Sequence, residues 1–258
     1  MGIFNFNEAQ IIISFLIFVR MSAFVVSWPV FGAPNIPNPI KILFALMLTI
    51  ILMPVLPVNL PDEIVNSMNF IILILKEAFI GLAIGFLGRL FFFAVHIAGQ
   101  IISVSMGLAG AQLYNPSLGG QSTSIDQLKI MLASLFFIGI NGHHIFLTGL
   151  VESFKLVPVE QLFISMQQFG DYGTVLSSIM VMGIKISAPV MVSILIMNVM
   201  MGIIGRAVPQ INVLITSLPV NILVGFLVMI FSLPLLVGQM EHLVFTSADY
   251  VFKMMKGF

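Results

Sequence analysis

The chain has 258 residues, 59% of them hydrophobic and 8% charged, with no cysteine and a formal net charge of zero. A soluble domain carries about 25% charged residues, so most of this surface is suited to lipid or to equally apolar protein. The charge balance argues against nucleic acid as a main partner, and the lack of cysteine excludes disulfides, thiolate metal sites and lipidated cysteines.

Met1 to Glu8 carry no basic residue ahead of the first apolar run, so no cleavable signal peptide is expected. Apolar runs of spanning length then recur at 9–28, 40–56, 64–88, 90–110, 128–150, 175–204 and 212–238. About 20 apolar residues cross the hydrocarbon core as a helix, so an all-α, polytopic membrane-associated chain with six or seven helical segments is predicted. Only Arg89 separates 64–88 from 90–110, which leaves one long bent helix as an alternative there. Barrel strands are excluded, because alternating ten-residue segments are absent.

Proline marks the breaks. Pro29, Pro34, Pro37 and Pro39 punctuate the first connection and Pro54, Pro57 and Pro61 the second; without an amide donor, proline interrupts the helix. Two stretches read as amphipathic helices on a membrane or a partner. One places Val159, Leu162, Phe163, Met166 and Phe169 on a common face; the other places Met240, Leu243, Val244, Val251 and Met254, and carries Lys253 and Lys256. With seven crossings, Lys41, Lys155, Lys253 and Lys256 share one side and Arg206 the other, which puts the N-terminus outside and the C-terminus in the cytoplasm.

The anomaly is residues 105–127, a run of glycine and small polar groups in an otherwise apolar chain. It cannot hold a helix throughout, and its backbone cannot face lipid. It is either an ordinary extramembrane loop or a loop that lines or plugs a wet cavity; its length exceeds the 2–8 residues usual between packed helices. Ser124 is the expected N-cap of the helix that follows, which carries Asp126 and Lys129.

Arg20, Lys76, Glu77, Arg89 and Lys185 interrupt apolar runs. A central charge costs roughly 2.5–3.5 kcal/mol on the insertion scale, so such residues face protein or water and find partners. Glu77 is expected to pair with Arg20 or with Lys185, and Arg89 to snorkel from a helix end. Gly81 and Gly85, followed by Gly88, offer a smooth face for close helix packing, and Gly202 and Gly205 read similarly. His143 and His144 point apart on a helix and do not readily share a metal, while His96 and His242 stand isolated in the sequence. The 18 methionines fill irregular gaps or form a deformable seal. No hydrolase, metalloprotease, nucleotide-loop or potassium-filter motif occurs, so no enzyme and no cofactor are expected.

A set of ordered motifs runs nearly the whole length: Arg20, Pro29-Val30-Phe31-Gly32 and Lys41; Glu77, Gly81 and Gly85; Ala98-Gly99 and Met106-Gly107; Asn115-Pro116, Gly119-Gly120-Gln121-Ser122 and Asn141-Gly142-His143; Pro189, Gly205-Arg206, Pro209-Gln210, Asn212 and Pro219. In order and spacing they resemble the FliR family of export-apparatus proteins, shared by flagella and type III secretion systems. The resemblance implies bent helical hairpins, with a FliP-like part over 1–174 and a FliQ-like part over 175–258. It implies a bacterial inner-membrane subunit of the flagellar basal body, which joins several copies of FliP and FliQ beside FlhB and FlhA and passes unfolded flagellar substrates. It also implies a plug loop over 106–122, including Met106, Gly107, Gly110, Asn115, Pro116, Gly119, Gly120, Gln121 and Ser122, where many relatives are expected to carry an acid at the position of Asn115. Arg20, Glu77, Lys185 and Arg206 are expected as buried or assembly charges. The alternatives are an injectisome gate subunit of the same fold and a small-solute transporter with a broken helix near 105–127.

Overall fold

A computed structural model describes residues 8–32, 36–56, 69–108, 123–159 and 172–256. Among them lie eight helices and no strand: α1 (Glu8–Ser27), α2 (Asn38–Leu52), α3 (Asn69–Ser105), α4 (Ser124–Gly139), α5 (Gly142–Leu156), α6 (Tyr172–Ala207), α7 (Val213–Phe231) and α8 (Leu233–Lys256). The fold is all-α, in keeping with the apolar runs.

The helix starts follow from local chemistry. Pro37 caps α2 and Pro39 sits in its first turn, where a missing N–H is harmless. Thr123, not Ser124, is the N-cap of α4, because its hydroxyl accepts from the Asp126 amide at 3.3 Å. Asn141 ends the turn between α4 and α5 at φ 56°, a left-handed conformation that asparagine tolerates.

Four helices are long and apolar enough to cross a membrane: Gln10–Ser27, Phe70–Ser105, Val175–Ala207 and Val213–Phe231. The bent pair α4 and α5 makes a fifth if counted as one span. Seven crossings are not reached among the described residues, and the orientation argued from seven loses its footing. Two of the expected runs fuse into α3, since Arg89 lies exposed on its surface without breaking it. The run at 40–56 yields only the 15 residues of α2, about 22 Å at 1.5 Å per residue.

The chain divides into two compact units that interleave in sequence: 1–90, 141–173 and 245–258 form unit 1, and 91–140 and 174–244 form unit 2. In unit 1, Leu16, Ile17, Met21 and Phe24 on α1, and Trp28 just after it, are fully covered. A ladder of rings runs from Phe24 through Trp28 and Phe31 to Phe44 on α2, with successive centroids 4.8–4.9 Å apart. Lys41 donates to the Gly32 carbonyl at 3.0 Å, which ties α2 to the bend after α1. In unit 2 the core gathers Ile102, Met106, Ile125, Val190, Ile194 and Met229. On α8, Met240, Leu243 and Val244 are buried and Lys253 is exposed, while the side chains of Val251, Met254 and Lys256 lie outside the described ones. The other predicted amphipathic stretch lies, beyond Val159, outside the described residues.

Candidate functional site

Unit 1 holds a buried charge cluster. Arg20, on α1, is wholly covered, and so is Glu77, on α3. The Arg20 Nε donates to Glu77 Oε2; Nη1 donates to Ser153 Oγ at 3.0 Å, and Nη2 to the Val157 carbonyl at 3.0 Å. The guanidinium carbon lies 3.9 Å above the Phe154 ring, a cation–π contact. Lys76 adds a second cation, 3.1 Å from Glu77 Oε1, and donates to the Pro158 and Val159 carbonyls at 2.9 Å each. Two cations therefore face one carboxylate, and the carbonyls at the end of α5 supply the remaining negative potential, as the C-terminal end of a helix dipole does. Of the two partners open to Glu77 in the sequence, Arg20 is the one engaged.

Of the four expected buried or assembly charges, Lys185 and Arg206 are not buried within the chain: Lys185 is exposed on α6 and Arg206 is in its last turn, where a cation complements the helix end.

Glycine lets α1 and α3 approach closely enough to close this cluster. A Cβ on Gly81 would collide with the Arg20 carbonyl, and one on Gly85 with the Ser27 hydroxyl. At Gly88 the neighbours are the rings of Trp28 and Phe146. Gly202 differs from the sequence reading, since nothing lies within 4 Å of its place on α6.

Unit 2 anchors both ends of the glycine-rich loop. α3 ends in a left-handed turn at Gly107 (φ 81°), with Leu108 N–H bonded to the Ser103 carbonyl at 3.0 Å, the pattern that closes a helix on glycine. Met106 is fully buried there, against Gly225 of α7, where any Cβ would come within 2.7 Å of its side chain. Gly110, Asn115, Pro116, Gly119, Gly120, Gln121 and Ser122 lie outside the described residues. The chain is described again at Thr123, where Asp126 is buried and paired with His96, Nδ1 to Oδ2 at 2.7 Å, and approached by Gln100 Nε2 at 3.4 Å. His96 is thus not isolated. Gly99 makes room for this pair, as a Cβ there would fall 2.8 Å from the Asp126 Cα. Asn221 Nδ2 donates to Asn198 Oδ1 at 2.9 Å, linking α7 to α6. His143 and His144 turn toward each other, with ring centroids 4.2 Å apart. Among the described residues no group of three His, Cys, Asp or Glu side chains is placed to hold a metal.

The model of the family described as bacterial export proteins, family 1, matches residues 11–247. The chain belongs to that family. Among its relatives, a flagellar biosynthetic protein FliR of Bacillus subtilis is 34% identical over 83% of this chain and 83% of its own length. That of Escherichia coli is 29% identical over 87% of this chain and 85% of its own, and that of Aquifex aeolicus 27% identical over 92% and 91%. The match to the export family runs through α1 and most of α8, and so includes the charge cluster, the glycine face and the base of the loop. A family of export proteins and four apolar helices of spanning length together give the chain a membrane location.

Proposed function

We propose that this chain is a subunit of the flagellar protein export gate, and that with FliP and FliQ, beside FlhB and FlhA, it forms the inner-membrane channel of the basal body through which unfolded flagellar substrates pass. Residues 106–122 act as the plug of the closed channel. The match to flagellar relatives over residues 11–247 carries this reading. The relatives named above are flagellar, which favours the flagellum over the injectisome. The gate has no catalytic step of its own; its work is to hold a closed conduit and to yield to substrate.

Helix length supports the assembly. Exposed apolar side chains on α6 run from Leu176 to Ile204, about 42 Å at 1.5 Å per residue. A hydrocarbon core is about 30 Å thick, so holding this whole stripe in lipid needs a tilt of about 45°, outside the usual range of about 0–40°. On α3 the stripe runs from Ile71 to Val104 and is longer still. Cover by apolar partner chains accounts for the excess. The burial of Met106 in the core of unit 2 and the capping role of Thr123 are compatible with a plug that starts and ends on packed helices.

Capture of the tagged chain from cells, followed by mass spectrometry, tests the assembly: FliP-like and FliQ-like chains are expected, and a chain recovered alone or as a simple oligomer would refute it. Deletion of 110–120 tests the plug. Ion leakage across the inner membrane should rise in assembled gates, and unchanged leakage defeats the plug.

A further inference from the structure

On α6 one cation, Lys185, interrupts the exposed apolar stripe and another, Arg206, closes it; both are exposed. Neither makes a hydrogen bond or an ion pair among the described residues. No charged residue stands between them, and none occurs on α7. The run from Lys185 to Arg206 rises about 32 Å at 1.5 Å per residue, and α7, from Val213 to Phe231, rises about 28 Å.

Two contacts set the register of these helices, which lie side by side and antiparallel in unit 2. Asn221 Nδ2 donates to Asn198 Oδ1 at 2.9 Å, and a Cβ on Gly205 would collide with the Val213 side chain. Arg206 is therefore level with the start of α7. Counted back along α6 and on along the partner helix from the asparagine pair, Lys185 is level with Pro234, just past the end of α7. The two cations thus mark the two ends of one apolar hairpin, on which Leu195, Val199, Leu214, Leu223 and Phe231 are exposed.

Lipid accounts for this layout better than a partner chain does. A hydrocarbon core is about 30 Å thick, so the spacing of the cations matches the distance between its two edges. A cation inside the core is disfavoured, whereas lysine and arginine at its edges extend their apolar stems and place the charged head at the interface. A partner helix imposes no such spacing, since it can present its acids at any depth. The turns of α6 before Lys185 expose Leu176, Met180, Val181 and Ile184. They add about 12 Å at 1.5 Å per residue, which is length that the core does not hold.

We propose that the exposed face of the α6–α7 hairpin meets the bilayer directly between Lys185 and Arg206, each cation bound to the phosphate of an anionic phospholipid, one in each leaflet, and that α6 before Lys185 stands clear of the hydrocarbon. This rests on the membrane location of the chain and not on the identity of the other gate chains.

The chain has no cysteine, so single cysteines can carry a nitroxide label. The complex captured by the tagged full chain is reconstituted in vesicles of phosphatidylethanolamine and phosphatidylglycerol, with the label on Leu176→Cys, Leu195→Cys or Ile203→Cys in turn. Access to oxygen relative to a water-soluble nickel chelate should be greatest at Leu195, midway between the cations, smaller at Ile203, and without preference for oxygen at Leu176. Equal immersion of Leu176 and Ile203 would mean that the whole stripe lies in lipid regardless of the cations, and overturns the proposal. A Leu195 label that neither reagent reaches would mean that protein covers this face, and overturns it as well. By native mass spectrometry, the double variant Lys185→Gln, Arg206→Gln should retain at least threefold less phosphatidylglycerol, while Lys185→Arg retains it in full. Unchanged lipid in the double variant, or loss of a partner chain with lipid retained, counts against the phosphate contacts and overturns them. The label profile is read on chains that keep both cations, so it decides the matter even if the double variant does not accumulate. Should the unaltered chain capture no other export chain, the gate reading alone has failed, and the profile is then read on the chain by itself.

Discussion

Unit 1 surrounds Arg20 and Lys76 with a carboxylate, a hydroxyl, three backbone carbonyls and an aromatic face. Unit 2 places Lys129 one turn after buried Asp126, at the edge of a cavity lined by leucine, isoleucine, phenylalanine and methionine. All three cations are buried on apolar helices, and in unit 1 each is held by several polar partners within the chain. The difference separates two uses of the same chemistry. A closed cluster fixes how helices of one chain pack, because each polar group is answered at home. A lone cation beside an apolar cavity contributes little to that packing. Removing one member of a closed cluster therefore strands its partners, whereas removing the lone cation strands far less.

The largest effect is expected at the carboxylate. Glu77→Gln keeps the shape but leaves two buried cations facing an amide. Breaking a buried ion pair in this way costs about 3–5 kcal/mol, enough to consume much of a membrane domain's stability. The thermal unfolding of the purified chain in detergent should fall steeply or the chain should fail to accumulate. A Gln variant with near-normal stability would mean that the α5 carbonyls alone satisfy Arg20 and Lys76. Next comes Gly81→Val. Here the obstacle is backbone, the Arg20 carbonyl, which cannot swing aside, and overpacking of this kind costs typically 1–3 kcal/mol. Loss of the close α1–α3 approach should appear as a lower melting temperature and as faster proteolysis within α1. Unchanged behaviour would show that the cluster tolerates wider helix spacing.

Much of the closed cluster was legible from residue type alone. Arg20, Lys76 and Glu77 stand out because each interrupts an apolar run, and Gly81 and Gly85 because four-residue spacing puts them on one helix face. What sequence could not decide was the pairing. Arg20 and Glu77 are 57 residues apart, and no local periodicity ranks Arg20 above Lys185 as a partner. The share taken by α5 was invisible, because backbone carbonyls carry no side-chain signature. Unit 2 was less readable. His96 and Asp126 are 30 residues apart and neither lies in a motif; only the close contact at Gly99 brings them together. Lys129, five residues beyond the start of its helix, carried no sign of its burial, since a lysine that is buried and one that is exposed are the same letter. Lys185 and Arg206 have apolar neighbours in sequence while their own faces are open within the chain, a distinction the letters alone do not carry. Of the two readings the sequence left open around Arg89, the single long helix is the one found: a lone arginine resembles a boundary in a hydropathy profile, but its exposed place on a helix leaves the backbone hydrogen bonds intact.

A smaller effect is expected from Asp126→Asn. The His96 partner is partly exposed, with a side chain 38% accessible, so screening reduces the gain from the charge. A hydrogen bond to a charged group contributes roughly 1.5–3 kcal/mol, and the lower end applies here. His96→Ala should cost a similar amount, and the double variant should be no worse than the larger single effect. Additive losses in melting temperature would mean that the two residues act through separate contacts.

The smallest effect should come from Lys129→Met in the isolated chain, where it bears most directly on the contrast between the units. Methionine fills nearly the volume of the lysine stem and presents no charge to the apolar wall. Replacing buried charge with well-packed apolar groups is often neutral or stabilising, so a change between zero and a gain of about 1 kcal/mol is expected, read as an equal or higher melting temperature. Arg20→Met, the same substitution in unit 1, should instead destabilise, because it leaves Glu77 with only Lys76 and uncouples α1 from the end of α5. Measured side by side under one detergent condition, the two variants should move in opposite directions. If both destabilise equally, Lys129 is held by contacts as closed as those of Arg20, and the distinction between a closed cluster and a lone cation disappears.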